Sequence, residues 1–341
     1  MSAKKIVLVT DYAWPSVDRE REILSKVGAS IVVAETGSED ELVQLAPSVH
    51  GILCNWKLVS RRVLEAAVKC VAVGRYGIGL DNIDVDAATR LGVVVTNVPA
   101  YCVDDVADHA MALLLACNRK VGWFDRDVKA GRYDLKAQAP LHRLRGQVLG
   151  LAGYGRIGQA AAQRARSFGL HVIALHSRRG SGSEQNDEVE FVAFAELLAR
   201  SDFLSLHLPA TPETKGMFDA AVFGRMKQGA VLINTARGTL IRTPDLLDAL
   251  ESGRIAAAGI DVWETEPLPP GDRLAAHPRV VATPHAAFYS DEAVAELQET
   301  AAAQMAALLS GQMPPNIVNP LVLASPQLRQ KLPELAHEGE K

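Results

Sequence analysis

The chain carries few of the features that mark membrane, nucleic-acid-binding or disulfide-built proteins. No apolar stretch approaches the ~20 residues needed to cross a bilayer, so no membrane span is expected. Acidic and basic residues nearly balance, 40 against 36, for a formal charge of −4. They form no long single-sign block, which argues against a nucleic-acid surface or an anionic-membrane binder. Only four cysteines occur, Cys54, Cys70, Cys102 and Cys117, in or beside apolar stretches and without CxxC spacing. Reduced buried thiols are expected rather than a disulfide or zinc framework, with no metal and a cytoplasmic location. The start has a basic flank, Lys4-Lys5, but the apolar run behind it is too short for a signal peptide and meets Asp11 without a small-residue cleavage site. It reads as a first strand. Repeats and low-complexity stretches are lacking, and beyond Pro314-Pro315 the chain runs out into a charged tail over 330–341. The partner is expected to be small.

At 341 residues the chain exceeds the roughly 250–300 residues at which one core usually stops growing, so two domains are expected. Short β-branched runs at 6–9, 30–33, 49–54, 70–73 and 92–96 alternate with segments of helical period such as 18–27 and 60–67. A second alternation follows, with strands at 148–152, 171–175, 203–206, 231–233, 258–261 and 280–282. Alternating βα implies parallel sheets with helices on both faces. The expected fold is therefore α/β: two Rossmann-like or flavodoxin-like domains with a cleft between them. A boundary falls near Asn97-Val98-Pro99-Ala100, since proline disfavours helix before it and Asp104 is placed to cap a long apolar helix running to about residue 118. The alanine-rich helix at 291–310 is expected to return to the first domain. The domains are then 1–98 plus 287–341, which holds substrate, and 99–286, which holds a dinucleotide.

The run 147–152 reads as a strand and leads directly into Gly153-Tyr154-Gly155-Arg156-Ile157-Gly158, which opens a helical run. Between strand and helix, GxGxxG is a strong signal, because the glycines permit a tight turn and bring backbone N–H groups to a pyrophosphate at a helix N-terminus. An Asp or Glu about 20 residues on would hold the ribose 2′-OH of NAD. That place holds His176-Ser177-Arg178-Arg179. Forked cationic donors with a hydroxyl suit a 2′-phosphate, so NADP(H) is favoured and NAD(H) remains possible.

Three apolar runs of the second half break off at polar residues: before Thr235-Ala236-Arg237-Gly238, before Asp261 with Glu266-Pro267 beyond, and before Thr283-Pro284-His285. In an open parallel sheet, ligands sit outside the carboxyl ends of the strands, so these groups would face one site. Hydride addition to a 2-keto acid needs a proton for the oxyanion and a cation for the carboxylate–carbonyl pair. His285 can supply the proton, Arg237 the permanent planar cation. A nearby carboxylate favours imidazolium, and Glu266 is the candidate, leaving Asp261 for the cofactor side. Asn55-Trp56-Lys57, at the end of a first-domain strand, either reads the substrate side chain or starts a helix.

Gly153-Tyr-Gly-Arg-Ile-Gly158, Ile233-Asn-Thr-Ala-Arg-Gly238, Gly259-Ile-Asp-Val-Trp-Glu-Thr-Glu-Pro267 and Thr283-Pro-His285, in this order, resemble the D-isomer-specific 2-hydroxyacid dehydrogenases over nearly the whole chain. Within that superfamily, Gly74-Arg-Tyr-Gly-Ile-Gly-Leu-Asp-Asn-Ile-Asp84, Asn97-Val-Pro99 and His285-Ala-Ala-Phe-Tyr-Ser290 look most like the C-terminal-binding-protein branch, which includes transcriptional corepressors and many bacterial members. The resemblance implies substrate binding by Arg237, acid/base work by His285 and Glu266 as its partner. It implies that the Gly77, Ile78 and Gly79 amides with Arg75 hold the substrate carboxylate across the interdomain cleft. On the cofactor side it implies Arg156 and Ile157 at the pyrophosphate, Leu208, Pro209 and Thr214 beside adenine and ribose, and Thr235, Ala236 and Asp261 near the nicotinamide. It also implies a homodimer formed through the cofactor domain, with the helix around 103–117 and the arm to Arg145. Two positions depart from the pattern: His176 stands where an acid selects NAD, and Phe288 stands where the corepressors tend to carry tryptophan, which bears on substrate choice.

The expected activity is reversible reduction of a small 2-keto acid to the D-2-hydroxy acid. The rivals are a dinucleotide-sensing, corepressor-like scaffold and a dehydrogenase of a small anion such as phosphite or formate. The lack of long disordered flanks favours an enzyme over a scaffold.

Overall fold

Valine- and isoleucine-rich runs of the first hundred residues form five strands, β1 (Lys5–Val9), β2 (Ala29–Val33), β3 (Gly51–Cys54), β4 (Ala72–Arg75) and β5 (Val94–Thr96). The computed structural model describes residues 4–138, 140–175 and 189–333. All pairings of these five strands are parallel, in the order β2-β1-β3-β4-β5. β-branched side chains suit both faces of a buried pleated sheet, and Val7, Leu8, Ile52, Leu53, Val73 and Val95 are buried there. Side-chain caps start several of the intervening helices: Ser60 accepts from the Val63 N–H and Asp84 from the Ala87 N–H. The helix Asp291–Leu309, capped by Ser290, packs on the helix Asp18–Ser25 and on β4. The compact unit is thus Met1–Tyr101 with Ser290–Lys341, a discontinuous segment pair. In this strand order the ligand crevice lies where connections diverge, between the ends of β1 and β3.

The second unit, Cys102–Tyr289, contains β6 (Val148–Ala152), β7 (His171–Leu175), β8 (Glu190–Val192), β9 (Phe203–Leu206), β10 (Ala230–Asn234), β11 (Ile255–Ile260) and β12 (Val280–Ala282). They form a parallel sheet in the order β12-β11-β10-β9-β6-β7-β8. Alternate residues feed two cores. Leu204, Leu232 and Ile260 join Phe223, Leu246 and Leu250 on one face; Phe203, Ile233 and Leu149 join Ala110, Leu113 and Leu114 of the helix Val103–Arg119 on the other. The connections diverge between β6 and β9, so this crevice opens at Gly153 and His207.

Both junctions of this division, 101/102 and 289/290, lie three residues beyond the expected 98/99 and 286/287, which puts Phe288 in the second unit. Asp104 does not cap its helix. That helix begins at Val103 after Cys102, which makes no side-chain cap, and Asp104 in its first turn pairs instead with Arg164 at 2.8 Å. Among the described residues, β8 and the helix Val121–Lys129 were not expected. The four cysteines are buried and free, and burial pushes the Cys54, Cys70 and Cys117 thiols up to about 12. Among the described residues, no helix is long and apolar enough to cross a membrane, and no cluster of His, Cys, Asp or Glu could hold a metal ion.

Candidate active site

Parallel register brings the carboxyl ends of β10, β11 and β12 side by side, with Asn234 opposite Ile260 and Ile260 opposite Ala282. The residues that follow are therefore neighbours although they lie far apart in the chain. After β10, the buried Asn234 folds the next turn: its Nδ2 donates to the Arg237 carbonyl at 2.9 Å and its Oδ1 accepts from the Ala236 N–H at 3.0 Å. Arg237 Nη1 donates to the Ala236 carbonyl at 2.7 Å.

Glu266 and His285 meet directly, with Nδ1 to Oε2 at 2.6 Å, both side chains partly exposed. The other carboxylate oxygen accepts from the Trp263 N–H at 2.8 Å. Burial alone would raise the Glu266 carboxyl, but the hydrogen bond and charge of His285, the Trp263 N–H and the Arg237 guanidinium outweigh it and hold the group below the usual carboxylate range. Glu266 is thus an anion under the imidazole at neutral pH. The Phe288 ring stands edge-on to the imidazole, centroids 6.0 Å apart and planes at 84°.

His285 has φ +54°, a left-handed conformation rare outside glycine. Such a residue costs about 1–3 kcal/mol and persists only where its surroundings over-determine it. Asp261 supplies the constraint. Its carbonyl accepts from the His285 N–H at 2.7 Å, Oδ1 accepts from the Ala286 N–H at 2.8 Å, and Oδ2 from the Ala287 N–H at 3.0 Å. The Thr283 hydroxyl donates to Oδ1 at 2.6 Å. Hydrogen bonds to a charged group are worth about 1.5–3 kcal/mol each, so this set outweighs the strain. Asp261, expected on the cofactor side, is fully buried and its carboxylate is closed over by the turn it organises. Thr283 also meets His109, whose Nε2 lies 3.0 Å from the hydroxyl oxygen and 3.5 Å from Asp261 Oδ1. Asn234, His109 and Thr283 were assigned no role from sequence.

The glycine turn lies on the same edge of the sheet. Gly153 has φ +109°, and a Cβ there would stand 2.5 Å from the His207 carbonyl. Gly155 is the N-cap of the helix Arg156–Ser167 and has no side chain to cap it, while the space above it is open, which suits a phosphate group at the helix start formed by Arg156, Ile157 and Gly158. Across the switch point, Thr214 closes the turn after Leu208: its hydroxyl donates to the Pro209 carbonyl at 2.7 Å and accepts from the Thr211 N–H at 2.8 Å. Thr235 Oγ1 is buried without a hydrogen-bond partner, a polar atom that suits a ligand group beside Ala236. These features fit a dinucleotide. His176, Ser177, Arg178 and Arg179 lie outside the described residues.

In the first unit, Asp11 at the end of β1 accepts from the Asn55, Trp56 and Lys57 N–H groups after β3, at 3.0, 2.7 and 3.2 Å. Arg75 Nη1 donates to Asn55 Oδ1 at 3.2 Å. Gly77, φ +143°, lies against that guanidinium, and a Cβ there would meet Nη1 at 2.7 Å. The Gly77 N–H, expected to face a substrate, donates to the Arg75 carbonyl at 3.0 Å. Asn97 Nδ2 holds the Ile78 carbonyl at 2.9 Å, fixing the stretch that carries the Ile78 and Gly79 amides.

A family model described as D-isomer specific 2-hydroxyacid dehydrogenase, NAD binding domain, matches residues 111–287. Over 265 residues, 76% of this chain and 80% of the relative, the sequence is 42% identical to a glyoxylate reductase of Korarchaeum cryptofilum. A solved glyoxylate reductase from Paecilomyes thermophila superposes with a TM-score of 0.84 at 29% identity, covering 93% of this chain and 98% of that one. An acyclic imino acid reductase, solved with NADPH and D-Arg, gives 0.81 at 27% identity, covering 92% and 99%.

Proposed function

Because the chain belongs to the D-isomer specific 2-hydroxyacid dehydrogenase family, and so is an NAD(P)-dependent oxidoreductase, we propose that it reduces a small 2-keto acid to the D-2-hydroxy acid with NADP(H) as the preferred cofactor. The observation that carries this reading is the Glu266–His285 bond at 2.6 Å on the strand edge that also holds Arg237. The dihydronicotinamide, when bound, supplies the hydride that C2 of the keto acid receives. His285 Nδ1 is engaged by Glu266, so Nε2 gives the proton that the carbonyl oxygen takes up, and Glu266 stabilises the imidazolium before that transfer. Arg237 pairs with the substrate carboxylate and polarises the carbonyl. In the reverse direction neutral His285 removes the hydroxyl proton. In the first unit we assign carboxylate binding to Arg75 and the Ile78 and Gly79 amides, with Gly77 required for its missing Cβ, and side-chain reading to Asn55, Trp56 and Lys57. Phe288, beside His285, borders the substrate.

Arg178 and Arg179, with His176 and Ser177, supply the 2′-phosphate contact in this reading, in a cytoplasmic homodimer. The test is turnover of NADPH and NADH against glyoxylate, hydroxypyruvate, pyruvate, bulkier 2-keto acids, phosphite and formate. A kcat/KM preference for NADPH with one of the 2-keto acids is expected, moved toward NADH by His176→Asp with Arg178→Ala. Cofactor binding without turnover supports a scaffold instead, and phosphite or formate oxidation the small-anion rival.

A further inference from the structure

His109 projects from the helix Val103–Arg119 toward the turn that presents His285, in a place the reaction just described does not use. Its Nε2 is 3.0 Å from Thr283 Oγ1. The single hydroxyl proton of Thr283 is committed to Asp261 Oδ1 at 2.6 Å, so the oxygen must accept from His109 and Nε2 must carry the proton. This fixes the imidazole tautomer and the hydroxyl rotor together. Asp261 in turn holds the 285–287 backbone through three N–H groups. Two further bonds pin Thr283: its N–H donates to the Ile260 carbonyl and its carbonyl accepts from Trp263 Nε1, both at 3.0 Å.

We propose that His109 is a positioning residue for His285, acting through Thr283 and Asp261 on a backbone that would not otherwise hold the imidazole in its left-handed conformation. With the His109 donor removed, the Thr283 hydroxyl loses the bond that polarises it toward Asp261. The shortest hydrogen bond to Oδ1 weakens, and the grip on the Ala286 N–H slackens. The side chain of His109 is 24% exposed, so its loss also admits water to compete for the hydroxyl. The consequence falls on the geometry of proton transfer and leaves the glycine turn untouched.

The proposal rests on the reading of His285 as the proton donor, and two measurements keep the two claims apart. In steady-state kinetics, His109→Phe should lower kcat on the order of 10- to 100-fold, the size expected for a misplaced catalytic group, with the NADPH dissociation constant and thermal midpoint near wild type. His109→Gln, which can again offer an N–H to Thr283, should recover most of the rate. Loss through a single relay does not multiply: His109→Phe combined with Thr283→Val should be no slower than Thr283→Val alone. In hydrogen exchange on the cofactor-free protein, the amides of residues 285–287 should exchange faster in His109→Phe than in wild type, whatever the protein's activity. Wild-type kcat in His109→Phe, losses that multiply in the double variant, or unchanged exchange at 285–287 would overturn the proposal. If wild-type protein reduces no 2-keto acid, the assigned reaction fails and the exchange experiment alone decides the role of His109.

Discussion

Glu266 contributes charge rather than shape to the site, since a glutamine could make the same contact with His285 Nδ1 without stabilising a cation. Because the carboxyl is held below its ordinary range, it stays ionised across the neutral range. Glu266→Gln removes what favours imidazolium in the reductive direction. Reduction should fall about 10²-fold, within the range for general acid–base catalysis. Steady-state kinetics check it, with the NADPH dissociation constant expected to stay near wild type. A near-wild-type rate in Glu266→Gln would assign Glu266 to packing. At this scale the sequence is most readable where polar residues follow an apolar run, and the roles proposed for Arg237, Glu266 and His285 rest on that pattern. His109 was not. It sits among alanine and leucine in mid-helix, and its partner Thr283 lies 174 positions away, a distance no local pattern spans. Asp261 was visible as a strand-end acid, but its use of both oxygens on the 283–287 backbone depends on the left-handed His285, which the sequence does not announce.

The strand ends gather these residues, and the elements themselves follow local rules with identifiable exceptions. β8 is three residues beside a polar stretch, too short for alternation to register. The helix Val121–Lys129 begins at Lys120, whose φ of +53° turns the chain without glycine or a side-chain cap. β11 begins at Ile255 rather than 258 because alanines, poor strand formers by propensity, are recruited by pairing with β10. One element junction has a titratable consequence. His207, just past β9, bonds its N–H to the Ala152 carbonyl at 2.8 Å, and its ring nitrogen lies 3.0 Å from Ser205 Oγ. Burial of the ring pushes it down to about 4. Its folded value lies below its unfolded value, so its contribution to stability is complete above the unfolded range near 6.5. The contribution is lost as pH falls toward 4, by up to about 1.4 kcal/mol per pH unit. The thermal midpoint should therefore drop between pH 7 and pH 5, and His207→Gln, which can keep a bond to Ser205, should flatten that part of the curve. An identical slope in the variant would show that the ring titrates freely in the folded protein.

At the scale of the whole molecule, exposed apolar side chains of the described residues concentrate in one stretch of the chain. Eleven large apolar side chains are exposed among the described residues, and four of them, Val121, Val128, Tyr133 and Leu135, fall within residues 121–135 at 60%, 57%, 95% and 81% exposure. Scattered exposed apolar residues need no explanation, whereas a cluster marks a contact surface. The helix Val121–Lys129 buries none of its residues although Trp123, Phe124 and Val128 punctuate its charged ones, so on its own it would gain little from folding. A second copy of the same surface would cover it, since symmetric pairs are the commonest assembly and let one patch serve both subunits. This supports the proposed homodimer and makes it testable apart from catalysis. Light scattering should give twice the 36.6 kDa chain mass for wild type and the single-chain mass for Tyr133→Lys with Leu135→Glu. The thermal midpoint of wild type, but not of the variant, should rise with protein concentration, because association stabilises only the folded chain. Wild type at the single-chain mass would remove the dimer and leave the exposed arm without a role.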